Sequence, residues 1–232
     1  MNTARPLHQA HATVVTAPAV SVDEALQNKA RYMHKGIPMF LQQAAALTIL
    51  LCLSPVLLLI ALFIKMESQG PVLFAQTRVG EFGRQFRCYK LRSMHVPGSP
   101  QYKAPVASNS DRDGICQKFY HDPRITRIGK YLRKYSVDEL PQLINVVKGD
   151  MAMIGPRPHL VSEYCQYNRQ IMPRLYCKPG LTGLWQVSGR ADTTFEEQLN
   201  LDKRYIVEQS IWTDMKILAM TVPAVLAAKG AY

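Results

Sequence analysis

From Gly36 to Ile64 the chain carries no charged side chain, and its centre, Ala44 to Ile64, reads AAALTILLCLSPVLLLIALFI. About 20 apolar residues is the length a helix needs to cross a bilayer, so this run ties the chain to a membrane before any other residue is considered. Two features count against a straight crossing. Ser54-Pro55 sits in the middle, where proline removes a backbone hydrogen bond and bends a helix. Both flanks are basic, with Lys29, Arg31 and Lys35 before and Lys65 after; positive charge favours the cytoplasmic side, and here it favours it at both ends. A helix–break–helix that dips in and returns meets both observations, the serine bonding a carbonyl freed at the break. A kinked spanning helix stays open on these features alone.

The remaining chain bounds the partner. At 232 residues there is room for one domain with appendages. The formal net charge is +11, from 28 Lys+Arg against 17 Asp+Glu, and the excess is concentrated between Lys65 and Lys134. Such a balance calls for an anionic partner: nucleic acid, anionic lipid or a phosphorylated substrate. The five cysteines form no CxxC pair, which fits free thiols facing a reducing compartment. Residues 1–28, rich in Ala, Thr, Val, His and Pro, read as a disordered arm, and His8 and His11 as part of a polar tail, not as metal ligands. Residues 29–66 are expected to form the membrane segment, and 67–232 a domain on its cytoplasmic face.

Within that domain, Val72 to Val79 and Gln85 to Leu91 read as short strands after a Gly70-Pro71 turn. Arg78, Arg84, Arg87, Lys90 and Arg92 among them face either solvent or an anion. His95 to Ile115 reads as a loop, a candidate lid. A helix from about Ile125 to Tyr135 should turn Ile128, Tyr131 and Leu132 inward, with Asp122 as a turn former before Pro123. Leu160 to Met172 has a mixed helical pattern, 181–190 is glycine-spaced and irregular, and Glu196 to Glu208 is a charged helix. Ser210 to Lys229 suits an interfacial helix with Trp212 and Lys216 at headgroup level. The expected class is therefore α/β, mainly helical: a small membrane protein with a short β element and interfacial amphipathic helices.

The chemistry concentrates in Tyr131 to His159, YLRKYSVDELPQLINVVKGDMAMIGPRPH. Leu140, Leu143, Ile144 and Val147 recur at helical spacing, Pro141 marks the start and Gly149 the stop. Asp138-Glu139 sits at the N-terminus. One reading is structural, since Ser136-x-x-Glu139 fits a capping box and Asp138 fits an N-cap. The other is a site: Arg124, Arg127, Lys130, Arg133 and Lys134 lie upstream, and the Gly155-Pro156-Arg157-Pro158 turn lies downstream. Carboxylates among that much positive charge suit a phosphorylated substrate with a divalent cation. Arg190, following a glycine in a loop, is a further phosphate contact, and Trp185 either stacks on a base or sugar or fills a core. A phosphate loop, a dinucleotide fingerprint and a Gly-x-Ser-x-Gly elbow are all absent from the sequence. A nucleic-acid-binding protein would explain the charge but not the apolar run, and a non-catalytic membrane scaffold would not need the acidic pair.

Six motifs in order then carry a resemblance: Lys90-Leu-Arg-Ser-Met94, Asp122-Pro-Arg-Ile-Thr-Arg-Ile-Gly129, Ser136-Val-Asp-Glu-Leu-Pro-Gln142, Lys148-Gly-Asp-Met151, Gly155-Pro-Arg-Pro158 and Lys178-Pro-Gly-Leu-Thr-Gly183. Over about residues 30–230 the chain resembles the bacterial sugar transferases, the monotopic polyprenyl-phosphate phosphoglycosyl transferases, in their short single-domain form. The resemblance implies a re-entrant helix broken at Ser54-Pro55 and a location on the cytoplasmic face of the bacterial inner membrane. It implies that Asp138 attacks the sugar-bearing phosphate of a UDP-sugar, releases UMP and passes the phosphosugar to undecaprenyl phosphate, the first membrane step of exopolysaccharide or other surface glycan assembly. Glu139 would hold magnesium (Mg2+), and Arg133, Arg157 and Arg190 would contact phosphates or nucleotide; Lys90 and Arg92 are added as substrate-binding basic residues. Relatives often carry Asn where Ala191 follows Arg190 here, and Phe in place of Leu91. Hexose-1-phosphate is the expected cargo, with N-acetylated amino sugars as the alternative. Inner-membrane lipid and downstream glycosyltransferases are expected partners, and nucleic acid is not.

Overall fold

A computed structural model describes residues 35–103, 115 and 122–228. The expected N-terminal arm and residues 104–114 of the expected lid lie outside them.

Helix α1, Met39–Glu67, is one continuous α-helix with Pro55 inside it. The expected break at Ser54-Pro55 does not interrupt the helix. Pro55 withdraws a single N–H, and Ser54 Oγ donates to the Leu51 carbonyl at 2.7 Å, so the local bonding is partly restored. At the N-terminal end the Ile37 N–H donates to Asp214 Oδ2 (2.8 Å), the Met153 N–H to Gln42 Oε1 (2.7 Å), and Gln43 Nε2 to the Val147 carbonyl (3.0 Å). At the other end Ile64 packs with Leu91 and Leu132, and Glu67 accepts from the Arg127 and Ile128 N–H groups at 2.6 and 3.0 Å. Both ends therefore sit on the same body. Between them Leu51, Val56, Leu58, Leu59, Leu62 and Phe63 are exposed.

Strands β1 (Leu73–Val79) and β2 (Gln85–Leu91) form an antiparallel hairpin with Leu73 opposite Leu91 and Val79 opposite Gln85. Alternation sorts their basic residues. Phe74, Gln76 and Arg78 share a face with Lys90, Cys88 and Phe86 through direct pairing, while Arg87 pairs with Thr77 on the opposite face and is exposed. Helix α2, Arg127–Lys134, is capped by Thr126, whose side chain accepts from the Gly129 N–H. It buries Leu132, but Tyr131 is 68% exposed, contrary to expectation: eight residues of helix leave room for one narrow buried stripe.

A 3₁₀ turn, Val137–Glu139, precedes helix α3, Gln142–Lys148, which stops at Gly149 (φ 79°) as expected. α3 starts later than the acidic pair, with Pro141 in the cap position. Asn145 on α3 is fully buried and stitches the helix to β2, accepting from the Tyr89 N–H at 3.1 Å and donating to the Arg87 carbonyl at 2.7 Å.

Short β3 (Ala152–Ile154) pairs in parallel with β5 (Gly180–Thr182), and β4 (His159–Leu160) extends the hairpin sheet in the order β2-β1-β4. Gly155 and Gly180 are needed here: a Cβ on either would collide with the other segment's backbone. The mixed helical pattern of 160–172 resolves into one short helix, α4, Val161–Tyr164, and a 3₁₀ segment, Met172–Tyr176, with Pro173 in the first turn of the latter. The stretch 181–190 holds α5, Leu184–Val187, followed by a 3₁₀ turn over Arg190–Asp192. Helices α6, Phe195–Glu208, and α7, Ile211–Ala227, complete the fold. Trp212 at the start of α7 is 80% exposed, alongside exposed Ile211, Met215 and Lys216.

Candidate active site

The site is built where α2 hands over to α3. Ser136 adopts the left-handed conformation (φ 53°, ψ 22°), which few residues other than glycine tolerate. Its side chain caps nothing, so the expected Ser136–Glu139 capping box is absent. The reversal turns Asp138 inward to 7% exposure and leaves Glu139 free for partners far along the chain. Glu139 Oε1 accepts from Lys90 Nζ at 2.6 Å and from Arg157 Nη1 at 3.0 Å. The capping reading thus loses its oxygens to two cations.

Arg157 is itself held from behind. Arg174 Nη2 donates to the Arg157 carbonyl at 3.0 Å and to Asp202 Oδ2 at 2.7 Å, an almost fully buried pair. Arg174 also touches His159, whose Nδ1 meets the Tyr167 hydroxyl at 2.7 Å. Arg78 Nη1 donates to the Pro158 carbonyl at 3.0 Å. Two arginines therefore pin successive carbonyls of the Pro156–Pro158 turn, and a pinned turn aims its guanidinium.

The two adjacent carboxylates are driven apart. Burial pushes Asp138 above the usual carboxylate range, with the Glu139 charge adding to that shift and Lys90 opposing it. Burial acts on Glu139 in the same direction, but the charges and hydrogen bonds of Arg157 and Lys90 outweigh it and hold Glu139 well below its usual range. Neighbouring acids pushed in opposite directions are suited to different tasks.

Asp138, Glu139, Lys90, Arg133, Arg157 and Arg190 all line one cavity of about 820 Å³. Arg92 also reaches its wall, yet its guanidinium is engaged elsewhere: it donates to the carbonyls of Ile64 (3.2 Å), Ser68 (2.6 Å) and Pro71, and to Ser68 Oγ. It closes the C-terminal end of α1. Asp122 forms a two-bond pair with Arg124, consistent with a turn former. Trp185 is buried on the cavity wall, donating from Nε1 to Thr193 Oγ1 at 2.7 Å. Arg174, Asp202 and His159 are functional residues that sequence reasoning misses, and Arg78 enters it only as one of several basic strand residues facing solvent or an anion. Strand alternation could have found Arg78, which shares the Lys90 face; the Arg174–Asp202 pair joins residues 28 apart with no local signal.

No group of three or more His, Cys, Asp or Glu that could hold a metal gathers among the described residues. The donor set is two adjacent carboxylates, and Lys90 and Arg157 both bond Glu139 through Oε1. Magnesium is commonly held by one or two carboxylates plus substrate phosphates, so these residues fit an ion that arrives with a diphosphate, and do not fit an all-protein cage.

The long, exposed apolar helix suggests membrane association, and the cavity on the attached body brings paired carboxylates together with several cations. Residues 33–228 match the model of the family described as bacterial sugar transferase, and the chain belongs to that family. It is 46% identical over 202 residues to the galactosyl transferase CpsE of Streptococcus agalactiae, covering 87% of this chain and 44% of that protein. It is 38% identical over 191 residues to the exopolysaccharide production protein ExoY of Rhizobium meliloti, covering 81% and 84%. The UDP-glucose:undecaprenyl-phosphate glucose-1-phosphate transferase of Caulobacter vibrioides is 42% identical over 197 residues, covering 82% and 68%. The chain spans just under half the length of CpsE.

Proposed function

We propose that the protein is a UDP-sugar:undecaprenyl-phosphate sugar-1-phosphate transferase that begins exopolysaccharide assembly. The observation that carries this is the buried Asp138 carboxylate on a cavity wall beside Glu139, Lys90 and Arg157. Family membership, the relative named for glucose-1-phosphate transfer and the galactosyl transferase CpsE support the donor class and favour a hexose over an amino sugar.

In this reading an Asp138 oxygen attacks the sugar-bearing phosphorus of the UDP-sugar. The P–O bond to UMP breaks, UMP leaves with the electron pair, and the phosphosugar stays on Asp138 as an acyl phosphate. A phosphate oxygen of undecaprenyl phosphate then attacks the same phosphorus. The bond to Asp138 breaks, the carboxylate is restored, and the lipid diphosphate sugar departs. Arg157, Arg133 and Lys90 hold phosphate oxygens and favour the ionised form of Asp138 that must attack. Magnesium, held by Glu139 with diphosphate oxygens, would neutralise charge on the transferring group. We assign Arg92 to the fold and not to substrate.

The membrane arrangement belongs to the same proposal. α1 dips into the cytoplasmic leaflet and returns through a bend at Pro55 that leaves its helical bonding continuous, a reading supported by the anchoring of both its ends on one body and by its exposed apolar middle. The exposed face of α7 rests at headgroup level beside it.

The test is UMP release from a panel of UDP-sugars by membrane-extracted protein with Mg2+ and undecaprenyl phosphate. Asp138→Asn is expected to abolish both release and covalent labelling by the sugar phosphate. Near-normal turnover in that variant would rule out covalent catalysis at Asp138.

A further inference from the structure

The cavity wall formed by α5 and the turn after it carries two buried polar atoms that no described residue satisfies. Gln186 Nε2 donates to the Leu181 carbonyl at 2.9 Å, which fixes the amide orientation and turns Oε1 away as an acceptor. Among the described residues, Oε1 is buried with no hydrogen-bond partner, and so is Arg190 Nη1. The two residues are joined by Arg190 Nε donating to the Gln186 carbonyl at 3.3 Å, yet Nη1 and Oε1 do not close on each other. Arg190 takes a left-handed backbone (φ 53°), a conformation kept where the surroundings impose it. Buried polar atoms in native proteins are nearly always paired, so an orphan acceptor and an orphan donor on one cavity wall mark a place for a third group.

Leu181, Val187, Leu218 and Val225 line the same cavity, and the Thr182 and Thr221 hydroxyls, which also line it, are bonded to each other at 2.8 Å. A hexose presents hydroxyls around its whole rim and would leave most of them unmatched there. A planar base has apolar faces and concentrates its polar atoms on one edge, which matches an apolar slot holding one acceptor and one donor.

We propose that Gln186 and Arg190 read the edge of a uracil base, Gln186 Oε1 accepting from the ring N3–H and Arg190 Nη1 donating to an adjacent ring carbonyl. This rests on the UDP-sugar reading and deepens it by assigning the nucleotide end of the cavity. A site that hydrogen-bonds a ligand N–H rejects the analogue that lacks it, because its own buried acceptor is then left bare.

The test is equilibrium binding of UMP, N3-methyl-UMP and inorganic pyrophosphate to the full chain in lipid nanodiscs, beside the UMP-release assay. Methylation at N3 is expected to weaken binding by about tenfold or more. Gln186→Leu should lose a similar factor for UMP, should no longer distinguish UMP from its N3-methyl form, and should bind pyrophosphate as the wild type does. Equal wild-type affinity for the two nucleotides overturns the assignment. So does a Gln186→Leu variant that still discriminates, which would make the methyl effect steric, or one that loses UMP and pyrophosphate together. If UMP is released from a UDP-sugar while N3 methylation has no effect, the base reading alone falls. If the protein neither binds nor releases UMP, both readings fall.

Discussion

At the scale of single residues, Asp138 and Glu139 are adjacent and should respond oppositely to loss of charge. Asp138 has its folded pKa raised by burial, so its contribution to stability is present below its unfolded value of 3.8 and lost as pH rises through the folded value. Above the folded value the buried carboxylate is a cost, and Asp138→Asn removes it. Glu139 is held below its ordinary 4.5, so its contribution is present above that value and lost as pH falls toward the folded one. Glu139→Gln leaves Lys90 and Arg157 without their shared carboxylate. A fully buried broken pair costs about 3–5 kcal/mol, and the partial exposure of Lys90 and Arg157, 18% and 28%, reduces this to about 2 kcal/mol. Thermal unfolding of the two variants at pH 7 checks this: Asp138→Asn should raise the midpoint and Glu139→Gln should lower it by several degrees. Equal shifts in one direction would mean that the two carboxylates share one environment. From the sequence, the pair was legible as a candidate site but its wiring was not. Ser136 and Glu139 have the spacing of a capping box, and only the left-handed Ser136 and a lysine 49 residues away show why the box does not form.

At the scale of elements, the hairpin and α6 follow from local pattern to within a residue or two, because alternation and capping are short-range properties. What could not be read locally is which element a long side chain serves. Arg92 lies two residues beyond Lys90 on the same strand parity, so a substrate contact was a fair expectation for both. Lys90 reaches Glu139, whereas Arg92 folds back onto the C-terminal end of α1, donating to the Ser68 and Pro71 carbonyls beyond its last turn and adding a bond to Ile64. Arg92→Met keeps the bulk and removes those donors, leaving buried carbonyls unpaired at about 1–3 kcal/mol in total. The expected outcome is a lower unfolding midpoint with the KM for UDP-sugar unchanged within about twofold. An unchanged midpoint with a raised KM would return Arg92 to the substrate.

At the scale of the whole molecule, the question is how a 29-residue helix and its domain share a membrane. At 1.5 Å per residue α1 is about 43 Å long, more than enough to cross a hydrocarbon core of about 30 Å. A helix that crossed would place its two ends on opposite sides. Here Ile37 at one end is bonded to Asp214, and Glu67 at the other is bonded to the start of α2, within a single folded unit. A crossing would have to break one set of those contacts, including Asp214, which is fully buried. The exposed apolar residues between the anchors, with Trp212 and its neighbours on α7, instead form surface that a leaflet can cover without a domain passing through it. On the proposed arrangement the basic residues at both ends, Lys35 and Lys65, would lie on the same side, as the flanking charge favours. Lys35→Cys and Lys65→Cys, each in a background with the native cysteines replaced, test this with a membrane-impermeant maleimide. Both positions should label in inside-out vesicles and neither in right-side-out ones. Labelling of one position from each face would establish a crossing, and the contacts at one end of α1 would then have to be absent from the protein in its membrane.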